Sequence, residues 1–193
     1  MSPQAENFTN QFLIAMPGMG DETFAGAVVY MCEHTDKGAL GLVINKPIDI
    51  KLKNLFEKVE PNLDREDLAE TPVYFGGPVQ TERGFVLHER QDEAGGQYNS
   101  SLSIPGGPLE MTTSKDVLEA LSHGGGPKKL LVTLGYSGWG AGQLEEEIKR
   151  NGWITVAARP DVIFDTPVEQ RYSRALSLLG IDPAMLMQEA GHA

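Results

Sequence analysis

The sequence predicts an α+β fold: a mixed sheet with helices packed outside it. Three observations predict it. Short apolar runs of strand length recur between turn-rich segments, a few stretches carry helical spacing instead, and the best punctuated helices gather near the C-terminus. The 193 residues suffice for one sizeable core, and no linker-like stretch divides them, so a single domain over 1–193 is expected, with residues 1–10 as a flexible lead.

The elements follow in order. FLIAM, AGAVVYMCEHT and ALGLVINKP read as strands, with TDKG as the turn that makes the last two antiparallel neighbours. Leu52, Leu55, Phe56 and Val59 repeat at i, i+3, i+4, i+7, and Pro61 ends that short helix. EPNLDREDLAET is an acidic connection with room for one helical turn. Strands resume at PVYFG, RGFVLHE, SLSI and PLEM. Thr113 is the expected cap of a helix carrying Val117, Leu118 and Leu121. KKLLVTL reads as a strand leading into a glycine-rich turn, GYSGWG, and a helix from about Ala141 to Arg150. WITVA and DVIF read as two more strands. Thr166, Pro167 and Glu169 form an expected capping box for a helix closed by Gly180, and Asp182 and Pro183 begin another that Gly191 stops.

Composition narrows the function. Sixteen basic against twenty-seven acidic residues give a net charge of -11, which disfavours a large nucleic-acid footprint, because such footprints rest on cations neutralising phosphates. The lysines of NKPIDIKLKNLFEK are read as the wet side of an amphipathic helix. No apolar run spans a membrane, and the start lacks the pattern of a signal peptide. One cysteine agrees with a reducing compartment, so a cytoplasmic location is expected.

Chemistry is harder to assign. GYSGWG resembles a nucleophile elbow, G-x-S-x-G, but Trp139 stands where the second glycine belongs, and the only histidine downstream of Ser137 is His192. A phosphate cradle is opposed by Glu145, Glu146 and Glu147, which would complement the helix dipole and repel an anion; Glu145 to Lys149 and Glu146 to Arg150 are the expected i, i+4 pairs. Trp139 is then the anchor of the turn. Cys32 and His34, two apart on a strand, would share a face, but even with His88 or Glu89 no metal pattern results, and a buried cysteine beside a surface histidine is expected. No metal or cofactor is expected. Three Gly-Gly-Pro tripeptides, beginning at Gly76, Gly106 and Gly125, read chiefly as turns.

GLVINKP at 41–47, YFGGPV at 74–79, GFVLHE at 84–89, LGYSGWGAGQLEEEI at 134–148, NGWITV at 151–156, and IFDTP with RYSRALSLLGID at 163–182 together resemble the AlgH/YqgE family of bacterial proteins. The resemblance runs from about Phe12 to the C-terminus. It implies a single compact α+β domain with a curved, mixed, mostly antiparallel sheet approaching a barrel and helices packed outside, a label of transcriptional regulator, and no established reaction. It also implies that alanine often stands at the position of Ser137. The expectation is a noncatalytic protein acting through a protein partner or a small ligand, with Asn45, Lys46, Gly76, Gly77, Ser137 and Trp139 as the candidate pocket. The alternative is a hydrolase-like enzyme with its site where the GYSGWG, NKP and GGP loops meet.

Overall fold

Apolar residues on both faces of successive strands set the architecture. A computed structural model describes residues 7–17, 22–58, 63–90, 100–113 and 115–180. In β1 (Gln11–Ala15), Phe12 and Ile14 enter an inner core with Tyr30, Leu42, Phe85 and Leu87, while Leu13 and Ala15 enter a second core with Val29, Met31, Trp139, Leu144 and Trp153. Successive strand residues point to opposite faces, so a strand covered on both sides reads as an unbroken apolar run. β2 (Val28–Thr35) and β3 (Gly38–Val43) behave likewise. A third core, with Leu52, Phe56, Val86, Leu121 and Val132, lies under α1 (Leu52–Lys58) and α3 (Asp116–Ser122). Burying each such side chain contributes about 1.5–3 kcal/mol.

The remaining elements are β4 (Pro47–Lys51), α2 (Glu66–Ala69), β5 (Pro72–Phe75), β6 (Val79–Glu89), β7 (Ser101–Ser103), β8 (Leu109–Thr112), β9 (Leu130–Gly140), α4 (Gln143–Lys149), β10 (Trp153–Ala157), α5 (Pro160–Phe164) and α6 (Arg171–Ser177). The strands form one curved sheet in the order β10-β1-β2-β3-β9-β6-β8-β7. Its pairings are antiparallel except where β5, itself paired with β4, lies parallel to β9. The fold is α+β, as expected.

Several local expectations change. GYSGWG is not a turn: β9 runs through it to Gly140, and the helix starts only at Gln143, with Gly142 in the left-handed region at φ 75. DVIF is helix α5 rather than strand, because Arg159 is extended and Pro160 occupies the first helical turn, where its missing N–H costs nothing. PIDIK is the alternating strand β4, so Lys51, expected on the wet side of an amphipathic helix, lies on a strand ahead of α1. Neither expected cap acts as one. α3 begins after Lys115, and Thr166 Oγ1 donates to the Asp161 carbonyl while a 3-10 turn, Val168–Gln170, leads into α6. Helices are spread along the chain between strands rather than gathered late. The helix expected from Asp182 lies outside the described residues. Phe8, in the expected flexible lead, is buried.

The lysine-rich segment is taken up locally. Lys51 and Lys53 each reach Glu70 at 2.6 Å, and the Lys46 ammonium donates to the Thr23 carbonyl.

Candidate functional site

The glycines of two motifs explain one another. A Cβ on Gly76 would run into the Gly135 carbonyl, one on Gly77 into the Tyr136–Ser137 peptide, and one on Gly135 into the Gly77 carbonyl. The GGP segment after β5 is therefore stacked backbone to backbone on β9, and Gly135 takes φ 79 to allow it. Close approach, more than turn geometry, requires these glycines. Ser137 seals the seam: it is fully buried, and its hydroxyl donates to the Gly76 carbonyl at 3.1 Å.

Asn45 and Lys46 fasten the neighbouring chain. Asn45 Oδ1 accepts from the Val28 N–H and its Nδ2 donates to the Gly26 carbonyl, both at 2.9 Å. The Val43 N–H donates to the Gly76 carbonyl and the Phe75 N–H to the Lys46 carbonyl. Asn45, Lys46, Gly76, Gly77 and Ser137 thus gather around one hydrogen-bonded crossing of β3, β5 and β9. Trp139, two residues beyond Ser137, anchors helix α4 from the strand: its indole N–H donates to Glu147 Oε1 at 3.1 Å, Trp153 donates to the same oxygen at 3.0 Å, and Gln143 donates to Oε2 at 3.0 Å. The Glu146–Arg150 pair forms, while Glu145 turns to His34 instead of Lys149.

His34 corrects the expected pairing with Cys32. A bulge between Met31 and Glu33 resets the alternation, so Cys32 packs in the inner core while His34 stacks on Phe8 of the second core at 5.3 Å. His34 is buried, not at the surface. The Phe8 N–H donates to His34 Nδ1, which puts the imidazole proton on Nε2, 3.3 Å from Glu145 Oε1. Burial raises the Cys32 thiol far above its ordinary range. No group of three or more metal-ligating side chains occurs among the described residues.

One polar cluster had no motif to announce it. His88 Nδ1 donates to the Glu89 carbonyl at 2.7 Å, which leaves Nε2 to accept from Thr112 Oγ1 at 2.7 Å, and Ser101 lies 2.6 Å from Thr112. Burial lowers the His88 pKa, against the opposing pull of the Glu89 carbonyl and Glu110. Glu110, opposite His88 in the β6–β8 register, is fully buried with neither carboxylate oxygen hydrogen-bonded among the described residues; Arg90 Nε stands 3.9 Å away. Only the i, i+2 polar alternation of β8 could have signalled it.

A concave surface with open side chains lies beyond the seam. A groove of about 740 Å³ at the ends of β2, β3 and β9 is lined by Glu33, Leu40, Val79, Tyr136, Gly138 and Trp139, with Thr35, Asp36, Lys37, Gly38 and Ala39 along the hairpin. Of the six residues expected to form a pocket, Trp139 lines it; the other five lie in or beside the hydrogen-bonded crossing.

The AlgH-like family model matches residues 12–184. The chain belongs to the AlgH-like family. Among its AlgH-like relatives, a UPF0301 protein of Ralstonia nicotianae is 66% identical over 193 residues, covering 100% of this chain and 99% of the relative. A UPF0301 protein of Burkholderia ambifaria is 65% identical over 187 residues, with 97% and 96% covered. The solution structure of the AlgH protein from Pseudomonas aeruginosa superposes with TM-score 0.77 at 45% identity, covering 100% of both chains. A Corynebacterium diphtheriae protein shares the fold with TM-score 0.67 at 21% identity, over 90% of this chain and 89% of that one. Among the described residues no helix is long and apolar enough to cross a membrane.

Proposed function

We propose that this AlgH-like protein is a noncatalytic binding protein that acts through a protein partner or a small ligand, and that any effect on transcription is indirect. The observation that carries the reading is the fate of the GYSGWG motif. Its serine is closed to solvent and bonded to a backbone carbonyl, whereas its tyrosine, second glycine and tryptophan line the open groove. A hydrolase needs an accessible nucleophile with a base in reach, and Ser137 offers its hydroxyl to Gly76 instead. The net charge of -11 supports contact with proteins or small molecules over direct binding to DNA.

A gel-shift titration over a range of salt concentrations tests the second half of this reading: weak, unselective binding is expected, and tight sequence-selective binding with a steep salt slope overturns it. For the first half, hydrolase screens on the full chain should show no turnover that Ser137→Ala removes.

A further inference from the structure

We infer that the groove receives an extended, basic segment of a partner protein, an inference that rests on the binding reading above. Three features of the groove converge on that occupant.

The first is a strand edge. β9 pairs with β3 from Ser137 to Gly140 on one side, but on the other its pairing with β6 reaches only the Val79–Tyr136 pair. Gly77 packs over the Tyr136–Ser137 peptide, and the Gly140 N–H donates to Gln143 Oε1. The stretch centred on Gly138 is left with no second strand neighbour among the described residues. An unpaired strand edge is a template for an extended chain, which gains main-chain hydrogen bonds there.

The second feature is the shape of the seat. Gly138 is exposed, and a Cβ placed on it would come within 3.3 Å of the Tyr136 ring, so the absent side chain keeps the floor open beside that ring. Tyr136 is itself braced edge-on by Phe85 at 5.5 Å between centroids. With half-buried Leu40 and Val79, it forms an apolar wall that an aliphatic or aromatic side chain of the guest would cover.

The third is charge. Glu33, Asp36 and Lys37 are exposed at the groove and in no ion pair with another described residue. Two carboxylates against one ammonium favour a guest with lysines or arginines flanking its apolar residue. The net charge of -11 steers such a segment in and repels nucleic acid. A small organic cation would answer the carboxylates but leave the strand edge unused.

The test uses the ¹⁵N-labelled full chain and three probes: an acetylated, amidated pentapeptide Lys-Leu-Lys-Trp-Lys, its counterpart with glutamate for each lysine, and spermidine. The basic peptide should shift the amides of Gly38, Leu40 and Gly138 saturably. Glu33→Gln with Asp36→Asn should weaken it about tenfold at low salt, and Gly138→Val should abolish the shifts while the thermal midpoint of the protein holds. Equal binding of the acidic peptide, or spermidine reproducing the shifts at lower concentration, overturns the basic-segment inference and leaves the groove a binding site. Shifts confined to another surface, or no saturable shift from any probe, also overturn it. If proteins captured by the native chain bind Gly138→Val as well as wild type, the assignment of the binding reading to this groove falls too.

Discussion

Two glutamates of this chain are treated in opposite ways. Glu147, half-buried on α4, accepts hydrogen bonds from Trp139, Trp153 and Gln143 and so ties a helix to β9 and β10. Glu110, on β8, is entirely buried with no hydrogen bond to either oxygen among the described residues. Carboxylates that collect donors act as clips, because bonds to a charged acceptor are about twice as strong as neutral ones. A buried carboxylate without hydrogen-bond donors has its desolvation cost offset only by charge, here that of Arg90 3.9 Å away and beyond hydrogen-bond reach. Position, not residue type, decides which is which.

Glu147→Ala should break the comparison most visibly. It strands two buried indole N–H groups, so a loss of about 3 kcal/mol is expected in urea unfolding followed by tryptophan fluorescence; a loss under about 1 kcal/mol would mean the clip is ornamental. Next comes Ser137→Ala, expected to cost about 1 kcal/mol by removing one buried hydrogen bond to the Gly76 carbonyl, with the fold unchanged by circular dichroism. Glu110→Gln should move the other way, gaining about 1 kcal/mol at pH 7 as the charge is removed; a clear destabilisation would show that the pairing with Arg90 outweighs desolvation.

Acid sharpens the same contrast. The folded His88 pKa is depressed chiefly by burial, so neutral His88 stabilises the fold above the unfolded value of about 6.5, and that contribution is lost as pH falls below it. Glu110 attracts the imidazolium, so in Glu110→Gln the folded pKa drops further and the acid loss steepens, measurable as urea midpoints at pH 8 and pH 5. The smallest effect belongs to an exposed control: Glu70 is held down to about 2 by hydrogen bonds from Lys51 and Lys53. Its contribution is present above the ordinary carboxylate range and fades as pH falls toward about 2; Lys51→Ala with Lys53→Ala should return its carboxyl, followed by NMR, to near 4.

Most strands were legible because their signal is local. FLIAM, VVYMC and KKLLVTL are apolar on both faces, a property visible in the run itself. GYSGWG misled because glycine normally marks turns, whereas Gly135 and Gly138 belong to a strand pressed against Gly77 from some 60 residues away. DVIF was too short for periodicity to separate helix from strand, although Pro160 before it carried the answer. The Cys32–His34 face was reversed by a bulge that leaves no trace in spacing. The groove combines a hairpin with β9 and Val79, so only part of it, Trp139, could be singled out beforehand. Glu147 and its two tryptophans lie within 15 residues of one another, yet nothing in their order reveals that both indoles meet one oxygen.

The burial of Cys32 has a practical side. It leaves the molecule's lone thiol inside the inner core with its ionisation suppressed, and the thiolate is the form that reacts. Alkylation by a maleimide therefore proceeds only through excursions that open the sheet at β2, and its rate in native buffer counts those excursions. A chain with one cysteine thus carries its own clock for breathing, with no label to install.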